Sequence, residues 1–236
     1  MTYIDGFVLA VPTANRDAYL AHAEQGAAML KEHGATRSVE GWGDDVPRGQ
    51  RNDLYGAVQA TADETIVFSW IEYPDKAARD ATGAKVIADP GMNALVSDMP
   101  FDGKRMIFGG FASVSDAGAG EGTGYIDGVV LPLPLDRRDD YAGFAAACAP
   151  VFLRHGALRV FDAVADDVPD GKITDFPRAV LREDGETVAF GWIEWPSKDV
   201  RDAGWGAIMA GGDMPDSQPF DGKRMIFGGF VPLLDR

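Results

Sequence analysis

Two kinds of hydrophobic periodicity alternate along the chain, and the whole alternation occurs twice. Residues 3–12 and 65–73 are apolar and rich in β-branched and aromatic side chains, which predicts strands. Residues 16–33 carry apolar side chains at helical spacing and end at a glycine, which predicts a helix. A second helix is predicted after Pro74, and residues 105–111 predict a closing strand.

Two further segments complete the order of predicted elements. Residues 36–42 predict a second strand. Residues 55–60 and 65–73 predict a hairpin, whose turn has the sequence EDGE in the second copy. The resulting order is β-α-β-β-α-β with one extra strand, which is the ferredoxin-like pattern of an α+β fold.

An internal duplication accounts for the repetition. The segment FDGKRMIFGGF occurs at residues 101–111 and again, unchanged, at residues 220–230, 119 positions later. Five other pairs lie 122 positions apart, namely YIDG at Tyr3 and Tyr125, HGA at His33 and His155, DDVP at Asp44 and Asp166, WIEYP and WIEWP at Trp70 and Trp192, and RDA at Arg79 and Arg201. The second copy therefore lacks three residues before its closing segment, and a duplicated domain is the simplest explanation.

The boundaries of the copies follow from composition. We predict a first repeat over residues 1–112 and a second over residues 125–236. Residues 113–124 are rich in Gly, Ala and Ser and have no apolar period, which predicts a flexible linker. Because helices cover only one face of a ferredoxin-like sheet, the other face needs a partner, and the second copy supplies it.

The motifs YIDG, HGA, DDVP, WIEWP, RDA and FDGKRMIFGGF together resemble a small bacterial family known as domain of unknown function family 1428. Both copies carry them, so the resemblance covers nearly the whole chain outside the linker. That family resembles the dimeric α/β-barrel superfamily, in which two ferredoxin-like units pair through their sheets. The resemblance therefore implies a dimeric α/β barrel formed within one chain, a fused pseudo-dimer. It assigns no catalytic residues, because the family has no settled function.

Charge and composition exclude several kinds of partner. The chain has 22 basic and 37 acidic side chains and a net charge of −15, which disfavours nucleic acid and anionic membrane surfaces. No apolar run reaches the roughly 18 residues that span a bilayer. The N-terminus lacks the basic segment of a signal peptide, and Cys148 is the only cysteine, so a cytoplasmic location is expected.

Acidic residues within apolar strands are the candidates for chemistry. Asp5 and Asp127 lie in the first strand of each copy, where burial would raise their pKa. Antiparallel pairing with the WIE strand predicts that Asp5 approaches Glu72 and that Asp127 approaches Glu194. Such a pair could serve as a general base. The alternative is that Asp5 forms an ion pair with an arginine such as Arg37.

Three other pairs of residues are candidates for ligand binding, and each pair has an alternative role. The tryptophans share a strand face with the glutamates and form either the wall of a pocket or part of the core. The histidines end the first helix and either contact a ligand or bond its last carbonyls. With one such histidine per copy, no metal site is expected. No G-x-G-x-x-G motif occurs, and no cofactor is expected. The ligand-binding candidates are Trp70, Trp192, Arg37, Arg159, His33 and His155.

Two functions remain open at this level. The first is a small-molecule binding or structural module without turnover. The alternative, implied by the superfamily, is a cofactor-independent monooxygenase- or isomerase-like enzyme. Such an enzyme would hold a small aromatic or carbonyl compound between sheet and helices and use a buried carboxylate as base. The candidate partners are a small-molecule ligand and further copies of the chain. Because the copies differ at positions such as Glu40 and Asp162, one of them can keep an open pocket while the other is a scaffold.

Overall fold

Strands and helices alternate in the computed structural model, which describes residues 1–215 and 217–236. The first repeat contains β1 (Tyr3–Pro12), α1 (Arg16–His33), β2 (Arg37–Asp45), α2 (Leu54–Ala57), β3 (Glu64–Tyr73), α3 (Lys76–Ala88), α4 (Met92–Ser97) and β4 (Ile107–Gly118). The second contains β5 (Tyr125–Pro134), α5 (Arg138–Arg154), β6 (Arg159–Asp167), α6 (Phe176–Ala179), β7 (Glu186–Trp195), α7 (Lys198–Gly211) and β8 (Ile226–Asp235).

The strands close into one antiparallel barrel in the order β1-β3-β2-β8-β5-β7-β6-β4. The repeats join edge to edge, because β2 pairs with β8 and β4 pairs with β6. A closed barrel leaves no strand edge unpaired, so each repeat satisfies the edges of the other. The predicted α+β barrel made from two repeats in one chain is therefore confirmed.

The extra strand predicted at residues 55–60 is wrong. This segment forms the short helix α2 instead, and the Asp53 carboxylate caps it by accepting from the backbone N–H of Gly56 at 2.6 Å. Leu54 and Val58 are fully buried and belong to the same apolar cluster as the aromatic side chains of the barrel. Each repeat consequently contributes four strands, since tertiary packing overrides a local pattern too short to separate strand from helix.

The first half of the predicted linker belongs to the sheet. Strand β4 continues through residues 113–118 and pairs with β6 as far as Gly118, opposite Arg159. The β6 edge needs a partner, and this segment supplies it although its composition suggests flexibility. Only residues 119–124 connect the last strand of one repeat to the first strand of the next. We keep the division into a first repeat over residues 1–112 and a second over residues 125–236 as a proposal.

Aromatic side chains from both repeats fill the barrel. The rings of Phe68 and Phe190 stack at a centroid distance of 4.5 Å, and those of Trp70 and Trp192 stack at 4.1 Å. Each YIDG motif leaves room for this packing, because a Cβ on Gly128 would lie only 2.8 Å from the Phe68 ring. The glycine of the motif is therefore required by close approach of the partner repeat.

The segment that occurs twice ties the end of each repeat to its own third strand. Arg105 donates to the Glu64 carboxylate at 2.6 and 2.8 Å. Arg224 donates to Glu186 in the same way, at 2.6 and 2.7 Å. Bidentate bonds of this kind orient a side chain as well as bind it. The duplicated segment thus has a structural role in both repeats.

Candidate functional site

The two predicted glutamates lie inside the barrel, each held by an arginine of the other repeat. Arg37 donates to both oxygens of Glu194 at 2.9 and 2.8 Å. Arg159 donates to both oxygens of Glu72 at 2.7 and 3.0 Å. The indole N–H of Trp70 and of Trp192 bonds the glutamate two residues further along its own strand. The tryptophans and glutamates therefore share a face, but that face is the packed core of the barrel.

The two arginines are saturated by carboxylates. Arg37 also bonds Asp235 and lies 3.5 Å from Glu72, and Arg159 also bonds Asp116, so each of the two guanidinium groups contacts at least two acids. Burial alone would raise the pKa of Glu194, but the hydrogen bonds and charge of Arg37 hold it below its ordinary value. An open hollow of about 600 Å³ lies beside this network. With its arginines neutralised, the hollow is a poor anion site, and the network serves to bind the two repeats together.

The predicted pairing of Asp5 with Glu72, and of Asp127 with Glu194, is wrong. Asp5 lies opposite Ile71 in the β1–β3 ladder, and Glu72 lies opposite Ile4. Successive residues of a strand point to opposite faces, so Glu72 faces the barrel interior and Asp5 faces the helices. The partner of Asp5 is Arg79 of α3, at 2.9 Å, and not Arg37.

The two histidines also lie outside the barrel. His33 contacts Asp89 at 2.8 Å, and His155 contacts Asp213 at 3.2 Å. The first pair connects the C-terminal end of α1 to that of α3, and the second connects the C-terminal end of α5 to that of α7. Neither histidine lines the cavity described next, so the structure gives them no part in a common site with the carboxylates.

A cavity of about 320 Å³ lies in the first repeat, between the outer face of the sheet and helices α1, α3 and α4. Its wall is mostly apolar and includes four methionines, which are Met29, Met92, Met99 and Met106. Methionine is unbranched and polarisable, and so adapts to ligands of different shape. Within the part of the chain that the structure describes, no lysine or arginine lines this cavity. The composition suits a neutral, largely apolar molecule.

Among the carboxylates at this cavity, Glu40 is the one whose pKa burial raises most clearly. It faces the cavity from β2 and accepts a hydrogen bond from the Tyr19 hydroxyl of α1 at 2.7 Å. Burial raises the pKa of Glu40 to about 7, against the opposing hydrogen bonds of Tyr19 and Ser69. A carboxylate in a site of low polarity with a pKa near neutrality has the property that a general base requires.

Asp5 is the second carboxylate at the cavity wall. Burial raises its pKa, and the charge and hydrogen bond of Arg79 oppose that effect. The Tyr73 hydroxyl also lies within reach of the carboxylate. His22 contributes a further polar group, and burial lowers its pKa while Asp98 acts in the opposite direction.

In the second repeat, larger side chains occupy the corresponding space. Trp205 stands where the first repeat has Gly83, and Phe152 stands where it has Leu30; their rings meet edge to face at 5.0 Å. The indole N–H of Trp205 bonds Asp127 at 2.8 Å. These residues, with Trp195 and Cys148, belong to a continuous apolar cluster. The candidate site is therefore in the first repeat.

Sequence reasoning did not select Glu40 as a candidate. A signal was present, because both repeats place an acid in the middle of the second strand and a tyrosine in the first helix. Glu40 with Tyr19 and Asp162 with Tyr141 form the same hydrogen bond, at 2.7 Å in each repeat. An acid at matching strand positions of two repeats is a stronger indication than an acid in one.

Two features of the structure bear on its partners. Among residues 1–215 and 217–236, no helix is long and apolar enough to cross a membrane. In the same residues, no group of three or more His, Cys, Asp and Glu side chains is arranged to hold a metal ion.

The barrel and its crossed ion pairs define a dimeric α/β-barrel protein in which one chain supplies both units. Solved structures share this fold. A candidate monooxygenase from Lactobacillus acidophilus superposes with a TM-score of 0.57 at 10% identity, over 99% of this chain and 95% of that chain. An anthrone oxidase-like protein superposes with a TM-score of 0.54 at 10% identity, over 100% and 92%. At such identities the likeness concerns the fold alone.

The chain belongs to the family described as protein of unknown function DUF1428, whose family model matches residues 2–103 and 124–222. The uncharacterized protein YbaA of Escherichia coli K12 is 53% identical over 116 residues, which make up 49% of this chain and 99% of YbaA. YbaA of Shigella flexneri gives the same values. A whole relative is thus the length of one repeat, and this chain carries the family domain twice.

Proposed function

We propose that the chain is a small-molecule binding protein, in which the first repeat holds a neutral, mainly apolar ligand and the second repeat is a scaffold. The observation that carries this proposal is the cavity of about 320 Å³ under α1, α3 and α4. Its volume is at the lower end of the range of about 300–1,000 Å³ that is usual for ligand sites. The filled space of the second repeat supports the assignment of the scaffold.

Naphthalene is a suitable first probe, because it is neutral and planar and has no hydrogen-bonding group. Protein labelled with ¹³C at the methionine methyl groups reports on the site directly, since four methionines line the cavity. On titration with naphthalene, the methyl signals of Met29, Met92, Met99 and Met106 should shift. Those of Met209 and Met225 in the second repeat should not.

A pair of matched variants controls for the location of binding. Gly83→Trp puts into the cavity the side chain that the second repeat already has at this position, and it should abolish the shifts. Gly206→Trp adds the same indole to an exposed position of α7 and should leave them unchanged. Saturable shifts confined to the second repeat, or none at all in the parent protein, would overturn the proposal.

The alternative function is an enzyme of the cofactor-independent monooxygenase or isomerase type, with Glu40 rather than Asp5 as base. The pKa of about 7 favours Glu40, because a dry carboxylate of that basicity can take a proton from a weakly acidic C–H group. The name of one structural neighbour, an anthrone oxidase-like protein, suggests anthrone as a first substrate. Dioxygen uptake that depends on both protein and anthrone and is lost in Glu40→Gln would favour the enzyme over the binding module.

We further propose a location and partners for the chain. A cytoplasmic location rests on the single cysteine and on an N-terminus without a basic segment, and the exclusion of nucleic acid rests on the net charge of −15. The assembly of further copies is proposed separately from the charge. Sedimentation of the purified chain would report its oligomeric state.

A further inference from the structure

The second repeat contains a side chain where the first repeat has an empty place, and that side chain shows which ligand would fit. Gly83 lies at the cavity wall, and a Cβ placed on it would meet no atom within 4 Å. Trp205 occupies the equivalent position of α7, and its indole reaches Asp127 on strand β5 of its own repeat. In the second repeat, the Trp205 indole therefore occupies the space that corresponds to the cavity, where a ligand would lie in the first repeat.

The equivalence of these positions is supported by their neighbours. Thr82 precedes Gly83 and donates to the carbonyl of His33 at 3.1 Å. Gly204 precedes Trp205 and lies against the carbonyl of His155, from which a Cβ on it would be 2.8 Å away. Helices α3 and α7 therefore approach the first helix of their repeats in the same register. Residues that lie 122 positions apart in the sequence, such as Gly83 and Trp205, thus occupy equivalent places in the two repeats.

The hydrogen bonds of the two aspartates give the polar part of the ligand. Asp127 accepts from Arg201 on Oδ1 and from the indoles of Trp195 and Trp205 on Oδ2, at 2.8, 2.9 and 2.8 Å. Asp5 has the equivalent arginine, and Tyr73 stands in the place of Trp195.

Gly83 has no side chain to act as the third donor, and Arg79 and Tyr73 are the hydrogen-bond partners of Asp5 among the residues described. A ligand with an N–H or O–H group would supply that donor to Asp5.

The charge and shape of the cavity exclude other ligands. With Asp5 and Glu40 at its wall and, among the residues described, no lysine or arginine there, it disfavours anions. The methionines and Phe7 offer apolar and aromatic surface against which a flat ring packs.

We propose that the first repeat binds a neutral, planar, bicyclic aromatic molecule with one N–H or O–H group. That group would donate a hydrogen bond to Asp5, as the indole N–H of Trp205 donates one to Asp127. This inference rests on the proposed binding function and adds the chemical class of the ligand.

Indole and 1-methylindole are the probes that test it, since they differ in the donor and little in shape. Calorimetric titration of the full chain should show one site for indole, with an affinity about 10-fold or more above that for 1-methylindole, the usual effect of a hydrogen bond to a charged group. Gly83→Trp should abolish binding, and Gly206→Trp should not.

Asp5→Asn keeps the shape of the acceptor but removes its charge, and it should bring the affinities for the two probes close together. Trp205→Gly provides an independent measurement, because indole should raise the melting temperature of this variant more than 1-methylindole does.

The outcomes separate this inference from the function beneath it. If naphthalene or 1-methylindole binds the parent as tightly as indole and Gly83→Trp abolishes that binding, the cavity is a ligand site but the assigned class is wrong. If indole binding survives Gly83→Trp in a folded protein, the site lies elsewhere and the inference fails. If none of the three probes binds the parent, both the inference and the proposed function fail.

Discussion

The two repeats are alike inside the barrel and different beneath their helices. Inside, Trp70 and Trp192 stack on each other, and each supports a glutamate held by the arginine of the opposite repeat. Beneath the helices, one repeat has a cavity and the other has Trp205. The interior belongs to both repeats at once, so a change on one side disturbs the other. The outer face belongs to one repeat alone, so it can be filled in one copy without cost to its neighbour.

A second difference comes from the connection between the repeats. Residues 119–124 cover one of the two ion-pair sites: Gly120 lies against Glu194 and Arg37, and the Thr123 hydroxyl donates to Glu194 at 2.5 Å. The Glu194 side chain is 0% exposed, whereas that of Glu72 is 9% exposed. A covalent link thus makes two otherwise equivalent carboxylates unequal.

The largest expected effect concerns this inequality. Glu194→Gln removes the charge of a fully buried carboxylate opposite Arg37 and should lower the free energy of unfolding by about 4 kcal/mol. Glu72→Gln should cost about 2 kcal/mol, since the Glu72 carboxylate is partly hydrated. Each arginine keeps a second acid in these variants, Asp235 for Arg37 and Asp116 for Arg159, so the expected difference comes from burial alone. Urea unfolding at pH 7 measures both. Equal losses would contradict a role for the connecting segment in burying the pair.

The next effect concerns the filled space of the second repeat. Trp205→Gly removes a half-buried indole and leaves its hydrogen bond to Asp127 unmade, so we expect a loss of about 3 kcal/mol in unfolding free energy. Gly83→Ala in the first repeat should be neutral or should stabilise by up to about 1 kcal/mol, because the position is helical and faces open space. A similar cost for both substitutions would mean that the outer faces do not differ as described.

The smallest effect is a pH dependence that separates the two strand acids. Burial raises the pKa of Glu40 from 4.5 to about 7 and that of Asp162 from 3.8 to about 6. The folded state therefore binds each proton more tightly than the unfolded state does. For each residue, the free energy of unfolding falls as the pH rises from its ordinary pKa to its raised pKa. Between pH 6 and 7 this fall is about 1 kcal/mol for Glu40 and roughly a third of that for Asp162.

Glu40→Gln should thus flatten the stability profile between pH 6 and 7, whereas Asp162→Asn should change it chiefly below pH 6. Urea unfolding at closely spaced pH values distinguishes the two variants. A profile for Glu40→Gln that is parallel to that of the parent across pH 6–7 would show that Glu40 is ionised throughout, and it would remove the main support for a base.

Much of the fold could be predicted from the sequence, because its long elements carry strong periodicity. Helix α1 and strands β1 and β3 lie within a few residues of their predicted bounds. The short segment 55–60 was predicted as a strand, because six residues do not distinguish the two periods. Residues 113–118 were predicted as flexible from composition, yet they form an edge that β6 requires as a partner.

The candidate site was less predictable than the fold. The sequence placed Trp70 on the face of Glu72, and the structure agrees. The proposed meeting of Asp5 with Glu72 failed because neighbouring positions in a ladder do not imply a common face.

The sequence by itself determined the duplication, the order of the main elements and which residues of each strand share a face, since these depend on spacing along the chain. Only the tertiary structure decided which face became the interior, that each arginine crosses to the other repeat, and that Glu40 lies in a cavity while Asp162 lies in a packed cluster. Burial, pairing and empty volume depend on residues far apart in the chain, such as Gly83 and Asp5, and no local pattern contains them.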